Sequence, residues 1–279
     1  MSGSETLRNQ LSSLLDGPNP LLPMLPRGRV FEGTRKIRLG DVDPSGRLRF
    51  DGLTRYTQDV SDDDTTDAGM PDKPGWVVRS TVVDELVPGS LGESLMFKTF
   101  CSSLGKRWAE RRLTVTGSAG AHYEVATLWV CIDFEAGRPT MLTDEFLSIY
   151  GEAAGDRKTS ARLVNPKLGD LGEAAAGVQA ELWQLRRVDY DTLGHVNNAA
   201  YWAAVEQWLP PYAGPRRARI EYGKGLSPSP RVGMARLEGD AYLLLWWLED
   251  QDGAPKATAS VIPLPSDFYR ESAAARSGR

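Results

Sequence analysis

A weak internal repeat constrains the fold of this chain more than any other sequence feature. Residues 38–46 align with residues 186–194, and both segments read as a strand that ends in Asp-x-Asp-x-x-Gly. The two copies lie 148 residues apart. After each glycine, mostly apolar residues recur at the spacing i, i+3, i+4, i+7, which indicates a helix that buries one face. These residues are Leu53, Tyr56, Thr57 and Val60 in the first copy and Tyr201, Ala204, Val205 and Trp208 in the second.

Strand-like segments separated by turn residues follow each predicted helix. We predict strands at 75–86, 93–103, 106–116 and 121–134 in the first half, and at 216–222, 231–238, 241–249 and 255–264 in the second. Pro210 and Pro211 end the second helix, because proline cannot continue an α-helix. Each half is therefore a strand, a helix and about four antiparallel strands, which is an α+β arrangement.

The repeat divides the chain into five segments. They are an N-terminal extension (1–28), a first repeat (29–150), a connector (151–178), a second repeat (179–268) and a C-terminal tail (269–279). We expect a short helix in the extension and a frayed tail of small and charged residues. Within the connector, residues 158–163 are candidates to pair with a sheet edge.

Composition narrows the class of protein. Of the 279 residues, 41% are hydrophobic and 25% charged, as in globular proteins, and a net charge of −4 gives no reason to expect nucleic-acid binding. No stretch reaches the roughly 18 apolar residues that span a bilayer, and no signal-peptide pattern is visible, so we expect a cytoplasmic protein. Cys101 and Cys131 lie in strand-like segments, which predicts buried and inert thiols.

The chemistry is concentrated in residues 189–201, which read Asp-Tyr-Asp-Thr-Leu-Gly-His-Val-Asn-Asn-Ala-Ala-Tyr. A strand ends near Asp191, a tight turn follows, and a helix starts near Asn198. The first N–H groups of a helix have no internal partner and lie at its positive end, which Asn197 or Asn198 can cap. With His195, the turn gathers a base and hydrogen-bond donors. These are the parts needed to hydrolyse a thioester.

This motif resembles that of the hot-dog thioesterases, and the layout of the chain resembles the acyl–acyl-carrier-protein (acyl-ACP) thioesterases over residues 30–265. The resemblance implies two tandem hot-dog repeats, each a helix wrapped by an antiparallel sheet, packed as a pseudo-dimer. It implies hydrolysis of fatty acyl thioesters to a free fatty acid and the carrier thiol, with no cofactor. ACP or CoA thioesters are the expected partners, and a homodimer is left open.

The same resemblance assigns roles to residues of the second repeat. Asp191 would act as base or nucleophile, and His195 would orient it, share its proton or protonate the leaving thiolate. Asn198 and the helix N-terminus would hold the thioester carbonyl, while Asn197 and Tyr201 would bind substrate. The pattern departs from the family at three positions. Leu193 stands where the family has asparagine, and Gly225 and Leu226 stand where plant members have Glu-Cys.

The first copy of the motif is degenerate. It reads Gly-Arg-Leu-Arg-Phe at residues 46–50, where the second copy reads Gly-His-Val-Asn-Asn, so we expect one active site per chain. The resemblance implies that the first repeat houses the acyl tail beneath its helix. The residues that we expect to line this pocket are Leu53, Tyr56, Thr57 and Trp76.

Simpler interpretations stay open at this point. His195 could be a capping histidine, and Asp189 either a solvated carboxylate or a residue that orders the turn. The acidic residues of 59–67 lack calcium-loop spacing, and the two histidines do not suggest zinc, so we predict a solvated helix end and no metal site. Arginine clusters could dock an acidic carrier protein or be ordinary surface charge. They lie at residues 35–38, 186–187 and 216–219.

Two further functions remain compatible with the sequence. The first is an acyl-CoA thioesterase, since the motif does not separate the two carriers. The second is a catalytically degenerate protein that binds acyl chains, which is suggested by the missing asparagine and Glu-Cys positions.

Overall fold

The computed structural model describes residues 19–70, 75–192, 194–209, 214–223, 231–239, 242–248 and 255–269. Its elements follow the predicted order of strand, helix and strands, twice. The first set is β1 (Val30–Lys36), α1 (Phe50–Asp67), β2 (Gly75–Val87), β3 (Ser94–Leu104), β4 (Trp108–Gly117), β5 (His122–Asp133) and the short β6 (Arg138–Pro139). The second set is α2 (Asp144–Ala154), β7 (Gln179–Gln184), α3 (Asn198–Gln207), β8 (Arg216–Tyr222), β9 (Arg231–Gly239), β10 (Tyr242–Leu248) and β11 (Pro255–Pro263).

One continuous antiparallel sheet joins the two repeats. Its strand order is β1-β3-β4-β5-β2-β8-β11-β10-β9-β7, so the second half mirrors the first about the β2–β8 pair. That central pair runs from Ser80 opposite Glu221 to Glu85 opposite Arg216. Helices α1 and α3 contact each other, and the rings of Phe50 and Trp202 lie 5.6 Å apart. The predicted pseudo-dimer of two hot-dog repeats is confirmed.

The apolar helix faces that the sequence predicts are buried against this sheet. Leu53 and Val60 of α1 and Val205 of α3 are fully buried in the main core. Tyr201 belongs to the same core, because its ring makes edge-to-face contacts with Tyr222 and Trp247. Aromatic pairs of this kind add stability beyond the area that they bury.

The connector differs from the prediction in one element. Helix α2 begins at Asp144, inside the predicted first repeat, and continues into the connector. Thr143 caps it by accepting the Phe146 N–H at 3.1 Å, and Phe146 and Tyr150 are buried beneath it. Further along, Lys158 forms a bridge with Leu104 at the end of β3, as expected for residues 158–163. The segment boundaries themselves stay a prediction.

Some predictions fall on other parts of the chain. The predicted N-terminal helix, most of the C-terminal tail, Pro210, Pro211, Leu193, Gly225 and Leu226 all lie outside the described residues. Among the residues that are described, no helix is long and apolar enough to cross a membrane.

Candidate functional site

The loop before α3 is a tight turn held by main-chain hydrogen bonds. The Asp191 N–H donates to the His195 carbonyl oxygen at 2.8 Å, and the Gly194 N–H donates to the Asp191 carbonyl oxygen at 3.1 Å. The Asp191 side chain closes the turn, because its Oδ1 accepts the His195 N–H at 3.0 Å. Gly194 has a φ of 75°, a left-handed conformation that favours glycine.

The loop before α1 repeats this pattern bond for bond. The Asp43 N–H donates to the Arg47 carbonyl oxygen at 2.8 Å, the Gly46 N–H donates to the Asp43 carbonyl oxygen at 2.9 Å, and Asp43 Oδ1 accepts the Arg47 N–H at 3.1 Å. Burial raises the pKa of Asp43, but hydrogen bonds from Ser45 and Arg47 outweigh it and place the pKa below its usual value. Asp43 and Asp191 therefore share a turn-forming role.

Asp189 and Asn197 also order the second turn. Asp189 is buried, and its carboxylate accepts the Arg186 N–H at 2.6 Å and a guanidinium N–H of Arg186 at 2.7 Å. Asp189 is therefore a residue that orders the turn and not a solvated carboxylate. Asn197 is the N-cap of α3, since its Oδ1 accepts the Ala199 N–H at 2.8 Å. The expected cap of α3 is therefore Asn197, and its contact with a substrate stays a prediction.

The first residue of α3 opens onto a small cavity. The Asn198 N–H has no hydrogen-bond partner among the described residues, and the Asn198 carbonyl oxygen accepts the Tyr222 hydroxyl at 3.1 Å. The cavity has a volume of about 20 Å³, which is enough for one water-sized oxygen. Its other walls include Ala199 and Trp202 of α3 and Thr54, Thr57, Gln58 and Ser61 of α1.

A larger cavity continues from the small one into the first repeat. Its volume is about 360 Å³, and it shares Gln58, Ser61 and Trp129 with the small cavity. One wall is aromatic, because the rings of Trp76 and Phe146 lie 4.9 Å apart. The two cavities therefore adjoin, one at the N-terminus of α3 and the other beside α1. We call the small one the carbonyl cavity and the large one the tail cavity.

The predicted site residues divide into two groups. Asn198 and Thr57 line the carbonyl cavity, and Trp76 lines the tail cavity. Asp191 is half-buried and His195 is exposed, and neither lines either cavity. Both lie in the turn that leads directly into α3.

Two of the predicted pocket residues and one predicted substrate-binding residue belong to the core. Leu53 and Tyr201 occupy equivalent positions of the two repeats, and both point into the sheet, where they are buried. Tyr56 packs against Phe97, and its hydroxyl donates to Asp41 Oδ2 at 2.6 Å. None of the three lines either cavity, because their side chains face the core, and their contact with a substrate stays a prediction.

In the first repeat, the position equivalent to the carbonyl cavity is filled by a carboxylate that pairs with an arginine, and we call it the closed first site. Glu206 reaches from α3 to the start of α1, where its Oε1 accepts the Phe50 N–H at 2.6 Å and its Oε2 pairs with Arg47. Arg47 also pairs with Asp43 at 3.0 Å and with Glu85 at 3.3 Å. Burial raises the pKa of Glu206, against the opposing effects of Arg47 and the Phe50 N–H.

The acidic end of α1 is held by ion pairs. Asp64 is buried and pairs with Arg29 at 2.8 Å and with Arg111 at 2.5 Å, so the prediction of a solvated helix end is wrong for this residue. Asp59 and Asp63 pair with Arg35. Within the described part of the chain, no group of three or more metal-ligating side chains could hold a metal ion.

Two arginines of the cluster at residues 216–219 are buried in ion pairs. Arg216 is buried against Glu85 at 2.6 Å, and Arg217 is buried against Asp84 at 2.6 Å. Arg216 and Arg217 join β8 to β2 across the repeat boundary, so these two side chains are not available to dock a partner.

The fold thus consists of two hot-dog repeats, and a Gly-His-Val-Asn-Asn turn leads into a helix whose first residue lines a cavity. The family of the acyl-ACP thioesterase N-terminal domain matches residues 28–150. An uncharacterized protein of Mycobacterium tuberculosis, Rv2001, is 31% identical over 201 residues, which cover 70% of this chain and 77% of that protein. The chain belongs to the acyl-ACP thioesterase family.

Solved structures share the fold at low sequence identity. A putative oleoyl thioesterase from Lactobacillus plantarum superimposes with a TM-score of 0.70 at 18% identity, over 86% of this chain and 98% of that chain. The 12:0-ACP thioesterase from Umbellularia californica gives a TM-score of 0.66 at 18% identity, over 85% and 97% of the two chains. The tandem arrangement of the two repeats is therefore the arrangement of these structures.

Proposed function

We propose that this chain hydrolyses fatty acyl thioesters, with an acyl group carried on ACP as the preferred substrate. Water would add its oxygen to the acyl carbon, the carbon–sulfur bond would break, and the carrier sulfur would take up a proton. The observation that carries this proposal is the pair of adjoining cavities, one at the N-terminus of α3 and the larger one beside α1. It matches a substrate with a carbonyl at one end of a long apolar chain.

Asn198 would bind the thioester carbonyl oxygen. Its N–H lies at the positive end of α3 and has no partner among the described residues. A preorganised N–H of this kind stabilises the negative charge that develops on the oxygen in the transition state. The closed first site supports this role, because there a carboxylate oxygen of Glu206 accepts the equivalent N–H.

Asp191 would activate water or attack the acyl carbon, and His195 would orient Asp191 or protonate the leaving thiolate. Both residues lie in the turn that enters α3, and the imidazole of His195 is exposed. Because Asp191 Oδ1 accepts the His195 N–H, replacement by asparagine keeps an acceptor for this bond and removes the negative charge. Asp191→Asn therefore tests the chemistry with little disturbance of the turn.

The test is release of free thiol from matched acyl-ACP and acyl-CoA substrates, with chains from about C8 to C18. We expect the wild type to turn over and Asp191→Asn to lose at least about 10²-fold in kcat. Asp43→Asn is the matched control, since Asp43 makes the same turn in a repeat without the motif, and it should keep wild-type turnover. Equal turnover in Asp191→Asn and the wild type would refute the role of Asp191.

The two carriers are separated by the same panel. A higher kcat/KM for acyl-ACP at each chain length would support the proposed carrier. A preference for acyl-CoA would make the chain an acyl-CoA thioesterase of the same fold.

One observation favours a second function, the binding of acyl chains without turnover. Asp191 makes the same turn contacts as Asp43, and neither Asp191 nor His195 lines the cavities. Leu193 replaces the asparagine that lies between them in the family pattern. Acyl binding measured by calorimetry, with no thiol released from any substrate, would establish this function and exclude the first.

A further inference from the structure

The helix of each repeat carries one residue that faces the N-terminus of the other helix. In α3 this residue is Glu206, whose Oε1 accepts the Phe50 N–H at the start of α1. The equivalent position in α1, 148 residues earlier, is Gln58. The equivalent of Phe50 is Asn198, the first residue of α3. The pseudo-symmetry therefore directs Gln58 at the Asn198 N–H.

The closed first site shows what this geometry binds. The Glu206 side chain is only 8% exposed, and its two oxygens are held by the Phe50 N–H and by Arg47. A carboxylate oxygen thus occupies the place next to the helix N-terminus where the carbonyl oxygen of a substrate would lie. Negative charge is stabilised at this end of a helix.

The second site has an amide where the first has a carboxylate, and a cavity lies beside it. Gln58 is half-buried at the junction of the carbonyl and tail cavities, and its amide makes no hydrogen bond with a described residue. The Asn198 N–H on the facing wall is also unpaired within the described chain. Trp129 lines the same junction, and its buried Nε1 has no partner there either. Unpaired polar groups in a buried site are costly unless a ligand satisfies them.

We propose that Gln58 is a catalytic residue of the second repeat's site, where its side-chain N–H donates to the thioester carbonyl oxygen beside the Asn198 N–H. The inference rests on the proposed hydrolysis and adds a residue from the first repeat to it. A neutral amide suits this position, because its N–H can donate to the oxyanion, whereas an ionised carboxylate has no donor and repels the developing charge. One complete site therefore needs both repeats.

Two substitutions test this role. Gln58→Leu keeps the size of the side chain and removes the donor, so kcat should fall about 10²-fold with little change in KM, as expected for an interaction made in the transition state. Gln58→Glu copies Glu206 and should close the site at neutral pH. Its deficit relative to the wild type should shrink as the pH falls toward the carboxyl pKa, since a protonated carboxyl is again a donor. A merely structural role predicts no such pH dependence.

Gln184→Leu is the matched control, because Gln184 is exposed on β7 and lines neither cavity. It should keep wild-type kinetics. Wild-type kcat in both Gln58 variants would refute the role of Gln58 while leaving the hydrolase function intact. A wild type that releases no thiol from any substrate would instead overturn the proposed function, and the role of Gln58 with it.

Discussion

The contacts of Glu206 in the closed first site allow us to predict how its removal changes the free energy of unfolding. Glu206→Ala removes the acceptor of the Phe50 N–H and one of the three carboxylates around Arg47. A buried donor that loses its partner costs about 1–3 kcal/mol, and breaking a buried ion pair costs about 3–5 kcal/mol. Because Arg47 keeps Asp43 and Glu85, we expect the free energy of unfolding to fall by about 3 kcal/mol. For a chain of this size that lowers Tm by about 6–12 °C.

The equivalent substitution in the other repeat provides the control. Gln58→Ala removes a half-buried side chain that makes no hydrogen bond with a described residue, so its effect should stay within about 0.5 kcal/mol. Urea unfolding followed by tryptophan fluorescence measures both variants, and Trp202 beside Phe50 reports on the affected interface. Equal losses in the two variants would refute the view that Glu206 holds the first site closed.

Two further predictions concern titration. Burial raises the pKa of Asp51, but Arg49 and Arg55 outweigh it, so the folded-state pKa lies below the usual value of about 3.9. Its contribution to stability is present above about pH 4 and is lost as the pH falls through the folded pKa. Urea unfolding between pH 7 and acid should show this loss, and Asp51→Asn should reduce it. Burial raises the pKa of Cys101 to about 12, so thiol reagents at about pH 8 should label it only after unfolding. Rapid labelling of the native protein would contradict this.

Local patterns in the sequence predict the framework of this protein well. The spacing of Asp43 and Asp191 fixes the repeat, and the structure reproduces the two turns hydrogen bond by hydrogen bond. Strand β8 coincides with the predicted residues 216–222. These features depend on contacts between residues that are close in the sequence, so the residues that make them form a recognisable pattern.

Of the four residues predicted to line the acyl pocket, Thr57 and Trp76 line the cavities and the other two do not. The i, i+3, i+4, i+7 stripe identifies the face of α1 that packs on the sheet, so Leu53 and Tyr56 are core residues. The cavities lie beside Thr57 of this stripe and along the adjoining face, where polar residues recur at helical spacing. These residues are Thr54, Gln58, Ser61, Asp62 and Thr65. A polar stripe on a helix that the fold places inside a pseudo-dimer is the signal that could have identified Gln58.

Other contacts of the site cannot be predicted from local sequence, because they form only in the tertiary fold. Arg47 and Glu206 are 159 residues apart in the chain, and nothing local to either residue indicates that they meet. Helix α2 is different, because Thr143 followed by Asp144 and Glu145 is a helix-start pattern. Its residues Phe146 and Tyr150 line the tail cavity, so this short helix belongs to the site as well as to the connector.

The differences between the two repeats follow from the way in which they share one interface. The start of each helix lies opposite a different residue of the facing helix, Glu206 for α1 and Gln58 for α3. Glu206 with Arg47 satisfies the start of α1 internally and fixes the two helices against each other. Gln58 leaves the start of α3 unpaired among the described residues and next to a cavity. Closing the first site anchors α1, and the rest of α1 can then form a wall of the tail cavity that serves the second site.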